Sequence, residues 1–162
     1  MRAGRMLRGR RSGAMLLGLL LVTPLTSCAS ETESYCAELE SQKETLADLA
    51  VRSGEPGTDV LGETLDVWRD LQGEAPGGIA DEWTTLVFAL EGLVEAFEEA
   101  GTSPAEYDPA NQPEGVTDAE AKKLEAAAAE LASQRVVEAG QGVEQHARDV
   151  CKVSLGLSAQ GG

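Results

Sequence analysis

Histidine is nearly missing from this chain, with His146 the only one among 162 residues. A carboxylate-bridged di-iron bundle needs two Glu-x-x-His elements, and this chain builds neither. Histidine-rich zinc sites fall with it. His146 is therefore read as an amphipathic surface residue and not as a general base. Several loops that carry chemistry are also absent. There is no Gly-x-Ser-x-Gly elbow and no Asp-x-Asp-x-Asp-Gly calcium loop. Gly140-Gln141-Gly142 follows no strand pattern and lacks the third glycine of a phosphate loop, so it reads as a helix flaw or a close-packing point. No apolar run is long enough to span a bilayer as a helix.

Basic residues are scarce, at 13 against 28 acidic ones. Five of the 13 are arginines at positions 2–11, so the chain beyond residue 27 keeps eight against 28, a formal charge of −20. Such a surface repels nucleic acid phosphates and anionic headgroups, which excludes a nucleic-acid role. The acids are scattered along helical faces. Asp81, Glu82, Glu95, Glu98 and Glu99 lie on one expected helix, whereas glycosidase-like chemistry needs two carboxyls facing across a cleft, one of them desolvated. No enzymatic activity, cofactor or metal site is expected.

The N-terminal region is the most specific part of the sequence. Arg2, Arg5, Arg8, Arg10 and Arg11 precede a short apolar run, Met15 to Val22, interrupted afterwards by Pro24. The run ends in Leu25-Thr26-Ser27-Cys28, which resembles the lipobox of bacterial lipoproteins. That resemblance implies a signal peptide over residues 1–27. It also implies that Cys28 receives a diacylglyceryl group and acyl chains of the palmitate kind. Membrane attachment would then come from the lipid on Cys28, at the extracytoplasmic face of the cell membrane. Arg10-Arg11 is not followed by the bulky apolar pair expected of a twin-arginine signal, so the export route stays open between the two systems.

With Cys28 acylated, Cys36 and Cys151 remain, an even pair at the two ends of the mature domain. In an oxidising compartment they are expected to form a disulfide. The rival reading, a reactive thiol pair, lacks a Cys-x-x-Cys spacing or a basic neighbourhood.

Along the mature chain the spacing is helical throughout. Residues 28–34 are expected as the acylated cysteine and a short polar tether, 35–155 as one bundle domain, and 156–162 as a frayed tail. Cys36, Leu39, Leu46, Leu49 and Ala50 form a first stripe, stopped by Gly54, Pro56 and Gly57. A second helix is expected over residues 59–72, capped by Thr58 or Asp59 and ended by Gly73. Ile79, Trp83, Leu86, Leu90, Leu93 and Phe97 then repeat at four- and three-residue intervals, the seam of an antiparallel bundle. Gly101 stands where a C-terminal cap belongs. Residues 101–116 carry three prolines and form the longest loop. Thr117-Asp118-Ala119-Glu120 reads as a capping box. The final region breaks near Ala132-Ser133, after which Val136, Gly140, Val143, Ala147 and Val150 mark a last stripe. The expected fold is all-α, a four- or five-helix bundle with its first and last helices joined by Cys36–Cys151.

Phe88 does not sit on the seam, lying five positions after Trp83 and so about 140° around the helix. With Val87 and Val94 it is read as widening the core, so that the third helix is contacted on two sides. The alternative places Phe88, Val87, Val94 and Tyr107 in an exposed patch for a partner.

Tyr35-Cys36 opening the first helix, Ala75-Pro76 with Ile79 and Trp83, and Cys151 ending the last helix resemble small secreted or lipidated helical proteins of actinobacteria. The resemblance spans most of residues 35–151 and implies the bundle and the address, but no activity. The chain departs from that pattern directly after Cys151, where Lys152 stands in place of glycine. Two functions follow as expectations. One is a non-enzymatic interaction or accessory module held at the membrane for an envelope protein partner. The other is an acidic helical protein that binds a small ligand or a divalent cation.

Overall fold

The computed structural model describes residues 27–53, 55 and 58–155. The expected signal segment up to residue 26 and the expected tail at 156–162 lie outside the described residues. The described chain is five α-helices and a terminal π turn: α1 (Ser27–Arg52), α2 (Leu61–Glu74), α3 (Ala80–Ala100), α4 (Asp118–Leu131), α5 (Gln134–His146) and the turn Ala147–Cys151. No strand occurs among the described residues. Cys36 in α1 and Cys151 in the π turn are bonded, with Cα atoms 5.1 Å apart across a sequence separation of 115. The all-helical bundle closed by this disulfide is the architecture that the residue spacing anticipates.

The seam places α3 at the centre, packed against α2, α4 and α5. Ile79, Trp83, Leu86, Leu90 and Leu93 are all buried. The main core joins Ile79, Trp83 and Leu86 to Tyr35 and Leu39 of α1, Leu71 of α2 and Val143 of α5. A smaller core under the long loop joins Ala96 and Ala100 to Val116 and Leu124.

Local signals account for most element ends. Gly101 adopts φ +61° and closes α3, a conformation that glycine enters without a Cβ penalty. The Thr117 hydroxyl accepts from Glu120 N while the Glu120 carboxylate accepts from Thr117 N, a complete capping box. Ser133 caps α5 through Val136 N, so the final region is two helices. α2 is an exception: it starts at Leu61 with Val60 as N-cap and no side-chain cap, so neither Thr58 nor Asp59 caps it, although Asp59 accepts from Leu61 N at 3.1 Å.

Other expectations about the elements need correction. α1 begins at Ser27, so residues 28–34, expected as a tether, are its first turns; neither glycine nor proline interrupts the chain between Ser27 and Ser53. Gly73 does not end α2, which continues to Glu74. Pro76 ends it, forcing the preceding Ala75 to an extended ψ of 126°. Ala50 is exposed and drops out of the first stripe. Val150 is 46 % exposed, because the π turn adds a residue between Ala147 and the next bonded amide; Val153, whose N–H reaches Ala147 O, is buried in its place.

Candidate functional site: an apolar cleft beside the first helix

α1 packs along α2 and meets the π turn, while its backbone runs farther from α5, which it reaches through side chains such as Tyr35 on His146. Between them a cleft of about 490 Å³ opens, within the range of about 300–1,000 Å³ typical of small-molecule sites. Its walls are apolar: Leu46 and Leu49 from α1, Trp68 from α2, Leu90 from α3, and Val136 and Val137 from α5. No charged side chain lines it, although a quarter of the chain is charged. Trp68 is backed by Trp83, the two rings edge to face at 6.3 Å. The Arg52–Glu63 pair, with contacts of 2.7 and 2.9 Å, joins the last turn of α1 to the first of α2. Arg52 holds the Glu63 carboxyl below its ordinary range.

Gly140 faces the cleft. A Cβ there would meet only Leu86 Cδ2, at 3.9 Å, an ordinary contact. Neither packing nor a positive φ demands glycine at this position, and mid-helix glycine costs about 0.5–1 kcal/mol relative to alanine. Gly142 is different. A Cβ there would stand 3.1 Å from Glu82 Cγ, so α3 and α5 approach too closely for a larger residue without a shift. Of the two readings of this glycine pair, Gly142 fits close packing and Gly140 fits open space.

Leu155 also lines the cleft, and Glu144 holds it in place. The Glu144 carboxylate is 1 % exposed and accepts from Leu155 N at 3.2 Å and from Ser154 Oγ and Arg148 Nη1 at 3.3 Å. Nothing in the sequence reading marked Glu144. The available signal was its place four residues after Gly140 and three before Ala147, beside the apolar stripe of α5.

The expected partner patch does not assemble. Phe88 is 65 % exposed, so the reading that buried it is corrected. Val87 is buried against Leu65 and Leu90, and Val94 is half-buried in the same cluster. Tyr107 is half-buried too, edge-on to Phe97 at 6.0 Å, where the long loop folds over α3 and α4. A second, wider cleft of about 750 Å³ lies there, with Asp118, Lys122 and Glu125 on its rim. Phe88 thus stands alone on its face of α3, turned away from Val87 by the helical twist.

Cys28 lies in the first turn of α1, and its side chain is outside the described residues. His146 is half-buried and not a surface residue: it meets Tyr35 edge-on at 5.8 Å, with Nε2 enclosed and unbonded. Among the described residues no three His, Cys, Asp or Glu side chains stand together as a metal site. Glu99 is engaged by Lys123 at 2.7 Å, while Glu95 and Glu98 are exposed. No described helix is long and apolar enough to cross a membrane.

No protein-family model matches this chain, and no curated protein or solved structure matches it either.

Proposed function

We propose that this protein is a lipid-anchored extracytoplasmic module, tethered through Cys28 and acting by binding and not by catalysis. The observation that carries this reading is the position of Leu25-Thr26-Ser27-Cys28, directly ahead of a bundle whose ends are joined by a disulfide. Disulfides persist in oxidising compartments, which fits an exported domain. The acidic surface offers no attraction to anionic membranes, so an acyl anchor is the physical means of holding the domain there. Cys36 lies eight residues after Cys28 on the same helix, which puts the disulfide about 12 Å along the axis from the anchor.

The test compares the wild type with Cys28→Ser in cells fed a labelled fatty acid, followed by detergent-phase partitioning. The wild type is expected to carry label and enter the detergent phase, and the variant to do neither. An unlabelled wild type that stays in the aqueous phase refutes the anchor. Membrane crosslinking of the same pair then asks whether an envelope protein is recovered only with the lipidated form.

Of the two ligand classes in the alternative reading, a small organic ligand has the support of the apolar cleft. The cation has no comparable cluster among the described residues.

A further inference from the structure

We infer that the cleft between α1, α2 and α5 binds the single hydrocarbon chain of an uncharged, hydroxyl-bearing lipid such as a monoacylglycerol. This inference rests on the small-ligand reading and is independent of the anchor on Cys28. Most of the cleft wall is aliphatic or aromatic and none of it is charged, so most of the ligand inside it is apolar. The open space over Gly140 has room for further carbon atoms at ordinary contact distance.

The hydroxyls of the wall specify the head. Ser53 Oγ donates to Ala50 O at 2.9 Å, and Thr64 Oγ1 donates to Val60 O at 2.8 Å. Both hydroxyls are thus engaged on helix carbonyls, and each oxygen keeps lone pairs that can accept a ligand O–H. Such groups satisfy a ligand O–H, while no charged side chain lines the cleft to pair with a carboxylate or phosphate. The Gln141 amide, also on the wall, accommodates a neutral hydroxyl from either of its two ends. A formal charge of −20 beyond residue 27 opposes an anionic head as well. The chemistry of wall and surface together selects a neutral head.

Trp68 supplies the readout, because its ring forms part of the wall and bromine quenches indole fluorescence at contact. The oxidised full chain carrying Cys28→Ser, which has no acyl group of its own to compete, is titrated below the micelle concentration with two probes. One is a dibromostearoyl monoglyceride and the other is dibromostearate. The monoglyceride is expected to quench saturably, and the carboxylate to bind weaker by about tenfold, as when a polar group is left unmatched in a pocket.

Gly140→Leu fills the space and is expected to weaken the monoglyceride by at least about tenfold. Its melting temperature and helical circular dichroism establish that it is folded. Gly140→Ala, which the structure accommodates without displacement, keeps the test open should the leucine variant misfold, and is expected to weaken binding by about threefold. Absence of saturable quenching by either probe overturns both this inference and the small-ligand reading. Carboxylate binding as tight as that of the monoglyceride overturns the neutral-lipid assignment alone. Undiminished binding by Gly140→Ala and by folded Gly140→Leu overturns the location.

Discussion

Trp83 donates its indole N–H to the Tyr35 hydroxyl at 3.0 Å, a buried hydrogen bond between residues 48 apart in sequence. Tyr35 is the immediate neighbour of Cys36, so polar and covalent ties between α1 and the rest of the bundle stand side by side. Burial pushes the Tyr35 phenol up to about 12, although the bond to Trp83 acts in the opposite direction.

Tyr35→Phe is expected to lower stability by about 1–3 kcal/mol at neutral pH, since it strands the Trp83 N–H in the core. Urea unfolding at constant m-value measures this. The phenol gives a pH signature as well. Its folded pKa is raised, so its contribution is intact below the unfolded value near 10 and declines as pH rises towards 12. The wild type should therefore lose more stability than Tyr35→Phe between pH 10 and pH 12. Parallel pH curves would contradict the assigned burial.

Removing the disulfide by Cys36→Ser with Cys151→Ser is expected to cost about 4–5 kcal/mol, the chain-entropy value for a loop of 115 residues. The midpoint of guanidinium unfolding checks this against the oxidised wild type. Intact mass after alkylation, with and without prior reduction, checks the bond itself: alkylation of both thiols without reduction would disprove it.

Lys152 follows Cys151 in the left-handed region, at φ +61° and ψ 25°, and its N–H bonds to Ala147 O. A side chain costs about 1–2 kcal/mol there, part of which glycine returns as entropy in the unfolded chain. Lys152→Gly is expected to raise stability by about 0.5–1 kcal/mol. A lower thermal midpoint for the glycine variant would refute the strain.

Phe88→Ala is expected to change stability by less than about 0.5 kcal/mol, because the ring lies mostly in solvent. Leu90→Ala, two residues on at 2 % exposure, is expected to cost about 2–4 kcal/mol. Comparable losses at both positions would place Phe88 in the core after all. If Phe88 serves a partner, its alanine variant should lose crosslinks while keeping its melting temperature.

The features legible in sequence are those fixed by neighbours a few residues away. Thr117 and Glu120 cap α4 because both reach one helix N-terminus. Ser133 starts α5 and Gly101 ends α3 for equally local reasons. The seam from Ile79 to Phe97 identifies the central helix, because helical twist alone brings those positions to one side. Cys36 and Cys151 were pairable by elimination, once Cys28 was given to the lipobox.

Other features depended on what the elements meet. Val87 and Phe88 are adjacent and both apolar, yet α2 covers one while the other stands mostly exposed among the described residues. Val150 left its stripe because Ala147–Cys151 closes as a π turn and not as an α turn. Gly140 and Gly142 look alike in sequence, while one faces space and the other Glu82. The cleft opens where α1 runs close along α2 and farther from α5. Periodicity determines which face of a helix is apolar; the angles at which helices pack determine which of those faces are covered, and where a space is left between them.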